Sequence, residues 1–231
     1  MNRTVNVLRM QFINKQTYLW VPLIILAGAF ALSLAIYAII DAAGGAGPKY
    51  GGGAQAPLWY FMVVGVQALT LTFPFSQAMS ITRREFFFGT LLTALITSAI
   101  LTSVFIVGGL IEVATGGWGM NGWFFHLDWI WAEGALGAVV VYFCTAMLFF
   151  VSGFWSATVY KRFSGIGLTI LLVGTGALLV LALFVIGRLD AWAQVGAWIA
   201  GQGAVGLSLW GLALAAVLAG LSYLVLRRTL P

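Results

Sequence analysis

The residue types that most often perform chemistry are scarce in this sequence. Its only histidine, His126, has Asp128 and Glu133 nearby, but this spacing matches no metal-binding motif. Ser156, in the stretch GFWSA, could act as a nucleophile, but the topology predicted below puts His126 at the opposite membrane face. The sequence has no G-x-x-x-x-G-K-[ST] phosphate loop. We therefore predict no catalytic, metal or cofactor site within this chain.

The most distinctive polar stretch is residues 80–89, SITRREFFFG, which sets Arg83, Arg84 and Glu85 before three phenylalanines. One interpretation is a short turn whose arginines only orient the chain in a membrane. The other is a compact, charged helical elbow that docks into a groove on a partner. Arginine suits such a contact because its planar fork can pair bidentately with carboxylates.

Aromatic residues concentrate in a second segment, residues 112–133 (EVATGGWGMNGWFFHLDWIWAE). Amphipathic rings prefer the headgroup level of a bilayer, so we interpret the segment as an interfacial belt, with a lipid- or substrate-contacting lip as the alternative. A short apolar stretch, residues 191–200 (AWAQVGAWIA), is too short to span and could dip into the same leaflet. The candidate lip or interfacial residues are Trp118, Trp123, Phe124, Trp129, Trp131, Trp192 and Trp198.

The elements that must position these segments are membrane spans. The chain is 62% hydrophobic and 7% charged, with mean hydropathy +1.04, whereas a soluble domain is about 25% charged. A span needs about 20 apolar residues, and in lipid such runs must be helical. We predict an all-α fold, with residues 1–231 forming a single transmembrane domain. The six predicted spans are approximately 18–40, 57–80, 87–111, 134–158, 164–187 and 204–226.

The basic residues predict the orientation. If the six spans alternate, only Lys49 and Arg188 lie on the outer side. The other nine lie on one side, namely Arg3, Arg9, Lys15, Arg83, Arg84, Lys161, Arg162, Arg227 and Arg228. The positive-inside rule then places both termini in the cytoplasm. The net charge of +5 is explained by topology and lipid headgroups, so we expect no nucleic-acid partner.

Three smaller features complete the predicted architecture. Residues 1–15 place Val5, Leu8 and Phe12 on one helical face, which predicts an interfacial amphipathic helix; a frayed basic leader is the alternative. Residues 44–53 (GGAGPKYGGG) are expected to form a flexible loop. Hydroxyl residues of span three, such as Thr93 and Thr97, are expected to form hydrogen bonds between helices. The absence of ionisable residues within the spans argues against a proton or sodium carrier.

The pattern resembles the permease subunits of bacterial ABC-2-type exporters over essentially the whole chain. The resemblance rests on the basic leader, six spans with both ends inside, the inner stretch TRREFFFG and the short apolar element 191–200. The long aromatic outer segment departs from the family pattern.

The resemblance implies half of an export pathway in the bacterial inner membrane, completed by a second permease chain, either identical or related. A separate cytoplasmic ATPase would bind the ATP and Mg. The residues implied to couple to it are Thr82, Arg83, Arg84, Glu85, Phe86 and Phe87. The competing hypothesis is a non-transporting membrane scaffold or assembly factor for another membrane protein.

Overall fold

A computed structural model describes the backbone of residues 3–227 and the side chains of residues 6–227. Arg228 and the side chains of Arg3 and Val5 lie outside the described residues. The molecule is 86% helical, which confirms the predicted helical class. The helices are α1 (Arg3–Ile13), α2 (Val21–Ala42), α3 (Ala56–Gln67), α4 (Phe73–Ala78), α5 (Arg83–Ala114), α6 (Gly134–Arg188) and α7 (Trp192–Leu226). Two short strands, β1 (Lys49–Tyr50) and β2 (Gly122–Trp123), pair in parallel.

Five helical stretches are long and apolar enough to cross a membrane. They are Gln16–Ala42, Gly52–Ala78, Arg83–Ala114, Gly134–Arg188 and Trp192–Leu226. The count differs from the six predicted because spans 134–158 and 164–187 both fall within α6. The number of spans and the side on which the termini lie therefore stay predictions.

Two of these stretches contain a π-helical turn just before a proline. The turn Gln16–Trp20 precedes Pro22, and the turn Ala68–Thr72 precedes Pro74. Proline has no backbone N–H and its ring crowds the carbonyl four residues earlier, so the hydrogen-bond pattern must change there. Beside the second of these turns, the Thr70 hydroxyl donates to the carbonyl of Val66 at 3.0 Å.

The two longest helices are each interrupted at one residue. Ser164 in α6 has φ 60° and ψ −172°, and Gly203 in α7 has φ 61° and ψ −175°. Only glycine adopts this region readily, so Gly203 suits its position whereas Ser164 is strained. The interruption at Gly203 separates the predicted short element 191–200 from the predicted span 204–226.

The tightest helix contact joins α3 and α6. Gly65 lies against the backbone of Phe150 and Phe154, and Gly153 lies against the backbone of Met62. A Cβ atom at either glycine would overlap a backbone carbonyl oxygen of the facing helix. Gly65 therefore packs against another helix of the same chain.

Among the hydroxyl residues of predicted span three, Thr90 forms a hydrogen bond to another helix. Gln11 of α1 donates to the Thr90 hydroxyl of α5 at 2.9 Å. In contrast, the prediction is wrong for Thr93 and Thr97, whose hydroxyls donate to carbonyls one turn earlier in α5. A helical threonine can reach its own helix, and that partner is available without a neighbour.

The N-terminal helix exists as predicted, but it packs through a different face. Val7 and Gln11 are fully buried, whereas Leu8 and Phe12 are only half-buried. The face that the hydrophobic pattern favoured is therefore not the one that contacts α5. Whether α1 lies on the leaflet stays a prediction.

Candidate functional site

The predicted elbow is a tight turn rather than a separate helix. Ser80 has φ 57° between the end of α4 and the start of α5. Thr82 then caps α5: its hydroxyl accepts from the Glu85 backbone N–H at 3.3 Å. The Glu85 carboxylate accepts from the Thr82 backbone N–H at 2.9 Å and from its hydroxyl at 2.7 Å. This reciprocal arrangement starts the helix at residue 83 and directs Glu85 back onto the turn.

The two arginines of the turn have different surroundings. Arg83 donates through Nη1 to the carbonyl of Arg227 at 2.9 Å, at the C-terminal end of α7. The carbonyls there carry partial negative charge, so the guanidinium stabilises this end of α7 and holds it beside the turn. Arg84 is exposed, and its guanidinium carbon lies 5.9 Å from the centroid of the Phe88 ring.

The three phenylalanines that follow the arginines also differ in how deeply they are buried. Phe86 is fully buried, with its ring centroid 5.1 Å from that of Phe73. Phe87 is also buried, 5.1 Å from Tyr223 of α7. Phe88 is 47% exposed. The first two rings therefore attach the turn to the helices, and the third lies at the surface.

A second predicted inner segment reaches the same cluster. The ammonium of Lys161 lies 4.2 Å from the centroid of the Phe73 ring, an arrangement that favours a cation–π contact. Partial burial, and secondly the charge of Arg83, lower the pKa of Lys161. Residues 83 and 161 therefore share one cluster at the ends of α4, α5 and α7.

At the other predicted face, one buried carboxylate organises the aromatic segment. Glu112 is fully buried at the end of α5. Its Oε1 accepts from the Trp118 indole at 2.6 Å and from the Phe124 backbone N–H at 2.8 Å. Its Oε2 accepts from the backbone N–H groups of Phe125 at 2.8 Å and His126 at 2.6 Å. Four donors compensate a charge that would otherwise be costly to bury.

This role of Glu112 was not predicted from the sequence. The available signal was the combination of a carboxylate at the end of a long apolar helix and a following glycine- and tryptophan-rich segment. Such a carboxylate needs several donors, and a segment that folds back over the helix end can supply them.

The glycine-rich loop 44–53, predicted to be flexible, is attached to the same structure. Its strand β1 pairs with β2, with Lys49 opposite Gly122 and Tyr50 opposite Trp123. Lys49 is buried and donates to Asp41 at 2.9 Å and to the carbonyl of Met120 at 2.7 Å. We call residues 115–133, held by Glu112 and β1, the aromatic cap.

The candidate lip residues do not share one environment. Phe124 is fully buried, and Trp131 stacks on His126 with centroids 4.6 Å apart. Trp118 and Trp123 are half-buried within the aromatic cap. The exposed indoles are Trp129, Trp192 and Trp198. Part of the predicted belt is therefore the interior of the cap.

The described residues contain no group of three histidine, cysteine, aspartate or glutamate side chains arranged to hold a metal ion. No family model, curated protein or solved structure matches the chain. Function must therefore be argued from the geometry of the turn, the cap and the helices between them.

Proposed function

We propose that this chain is the permease subunit of an ATP-driven exporter of the ABC-2 type in a bacterial inner membrane. It supplies half of the translocation pathway and pairs with a second permease chain. A cytoplasmic ATPase binds at the turn between α4 and α5, holds ATP and Mg, and drives transport.

The observation that carries the proposal is that contacts at and near this turn join several helices. Arg83 binds the end of α7, Lys161 lies on Phe73 of α4, and Gln11 joins α1 to α5. A partner that pushes on the turn would move these elements together. This is the mechanical property that coupling to an ATPase requires.

The exposed residues of the turn define the contact surface. Met79 is 57% exposed, and Ser80 and Arg84 are also exposed. Arg83 and Glu85, in contrast, bond within the chain. We therefore assign recognition of the ATPase to Met79, Ser80 and Arg84, and we assign Arg83, Glu85, Phe86 and Phe87 to positioning the turn.

The geometry of α6 supports six spans. A straight helix of its 55 residues would measure about 80 Å, far more than the hydrocarbon layer of about 30 Å. The interruption at Ser164 divides it into parts that match the predicted spans 134–158 and 164–187. Six spans place the nine basic residues together with the turn on the cytoplasmic side.

The second part of α6 supports pairing with another chain. Every residue from 172 to 185 is exposed, so this predicted span packs little against the rest of the chain. Gly174 and Gly176 have no neighbour within 4 Å of an added Cβ, which leaves room for close approach of another helix. We propose that the second permease chain covers this region.

The test is isolation of the tagged chain from its native membranes in mild detergent, followed by mass measurement of the intact complex. We expect two permease chains together with ATPase chains that contain a phosphate-binding loop. A chain that stays monomeric and free of any ATPase in several mild detergents would contradict the proposal. A complex with a different membrane protein and no ATPase would favour the scaffold hypothesis instead.

A further inference from the structure

Two apolar cavities adjoin beneath Trp129 of the aromatic cap. One, of about 270 Å³, lies between α3, α5, α6 and the cap, with Phe105 and Phe149 among its walls. The other, of about 200 Å³, lies between α6 and α7. Both are lined by Trp129, Val141 and Thr145, so together they form one elongated cleft across α6. We call it the Trp129 cleft.

The walls of the Trp129 cleft select an uncharged ligand. Among the described residues, no aspartate, glutamate, lysine, arginine or histidine lines either cavity. The hydroxyls of Thr145, Ser208 and Tyr142 donate to backbone carbonyls. They therefore impose no need for a polar partner, and an apolar occupant leaves no buried polar group unpaired.

The position of the cleft identifies the source of that ligand. Val141 and Thr145 lie in the half of predicted span 134–158 nearest the cap, at the depth of lipid chains. Trp129, which borders both cavities, is 63% exposed at the surface. Gln55, also exposed, lines the larger cavity beside the start of α3. An apolar cleft with an exposed polar group in its wall matches an acyl chain attached to a headgroup.

We propose that the Trp129 cleft binds one acyl chain of a phospholipid from the outer leaflet. The chain lies along Val141 and Thr145 beneath Trp129, and the headgroup lies towards Gln55. A cavity of about 150 Å³ lined by aliphatic and aromatic side chains binds small apolar molecules such as benzene, and each of the two cavities here is larger. The site depends on the chain lying in a bilayer, and it does not depend on the proposed transport function.

The test uses the full chain in phosphatidylcholine vesicles that contain a phosphatidylcholine with a photoreactive diazirine near the end of one acyl chain. After illumination, peptide mass mapping locates the attached lipid. We expect labelling of residues 141–148 to exceed labelling of the exposed side chains of α2, such as Leu32 and Ile36, several-fold, because those side chains exchange lipid freely. Equal or weaker labelling of residues 141–148 would overturn the proposal.

A variant whose larger side chain fills the cleft is compared with a control variant that leaves the cleft open. Thr145→Phe should abolish labelling of residues 141–148, whereas Thr175→Phe, the same change on the exposed helix, should leave it unchanged. If Thr145→Phe does not insert, Ser208→Leu fills the cleft from α7. Labelling that persists in a correctly inserted filled variant would overturn the proposal. A second result would also overturn the proposal: the wild-type cleft is not labelled by lipid, and a variant that fills the cleft separates a dimer into monomers. The occupant of the cleft would then be a second copy of this chain.

Discussion

Glu112 shows how one residue can organise the whole aromatic cap. Its carboxylate bonds to four N–H groups from the cap, two on each oxygen. Cap residues distant from one another in the sequence thus share one acceptor. The cap is therefore expected to lose its shape when this acceptor is altered, even though no aromatic side chain is changed.

Glu112→Gln tests this dependence. The amide keeps one acceptor oxygen and presents an NH₂ group to two of the four donors. Loss of two hydrogen bonds to a charged group should lower the free energy of unfolding by about 3 kcal/mol or more. Thermal unfolding in mild detergent measures the change. Glu133→Gln is the control, because Glu133 is exposed and should change stability by about 0.5 kcal/mol or less. A wild-type melting temperature for Glu112→Gln would contradict the assigned role.

At the scale of single residues, the sequence indicates some contacts of the structure and not others. The stretch Thr82–Glu85 carries a capping signature that is visible in the letters alone. The difference between Arg83 and Arg84 is not visible there, because the partner of Arg83 is the C-terminal end of α7 at residue 227. Such a contact depends on tertiary packing, and residue type and spacing cannot predict it.

At the scale of elements, the α3–α6 contact depends on two glycines that face each other's helix. Their missing side chains let the backbones approach, so larger residues there must separate α3 from α6. Other glycines of the predicted spans, such as Gly174, have open space around them. The same substitution should therefore have opposite effects at the two kinds of site.

Gly153→Ala should destabilise the chain by about 1–3 kcal/mol, because the added methyl overlaps the carbonyl of Met62. Gly28→Ala, at a glycine of α2 that also has open space around it, should instead stabilise the chain by about 0.5–1 kcal/mol, because alanine is the better helix former and meets no neighbour. Both changes are read from thermal unfolding under identical conditions. Destabilisation by Gly28→Ala of the same size as by Gly153→Ala would show that Gly28 also lies in a tight contact.

Element positions were largely predictable because apolar run length sets where a helix can cross a membrane. The interruption at Gly203 falls beside the predicted boundary of span 204–226. The pairing of β1 with the cap was not predictable, because a glycine-rich loop carries no alternating pattern and its partner lies far along the chain. Loop 44–53 was therefore assigned by composition alone.

At the scale of the whole molecule, the orientation can be measured by thiol labelling. The experiment starts from a Cys144→Ser variant, because Cys144, which is buried, is the only cysteine of the sequence. Lys15→Cys and Glu133→Cys then introduce single thiols at exposed positions on opposite predicted faces. A membrane-impermeant reagent should label residue 133 in intact cells and residue 15 only after permeabilisation. The reverse pattern would contradict the orientation, and equal labelling would contradict the number of spans. Lys49 is unsuitable because it is buried and bonded to Asp41.

The central claim is that an ATPase binds the turn between α4 and α5 through its exposed residues. Arg84→Glu reverses one exposed charge there, and like charges facing each other at an interface cost several kcal/mol. Lys15→Glu is the matched control, the same reversal of one charge at an exposed position outside residues 79–85, on the predicted inner side. Lys161 does not serve as a control because it shares a cluster with Arg83.

The most direct measurement is the amount of ATPase that copurifies with the tagged chain at equal membrane insertion. Arg84→Glu should lower this amount at least about tenfold, which corresponds to about 1.4 kcal/mol, while Lys15→Glu should retain the wild-type amount. The two variants should have the same melting temperature as each other. Wild-type copurification of the ATPase with Arg84→Glu, or an equal loss with Lys15→Glu, would contradict recognition at this turn.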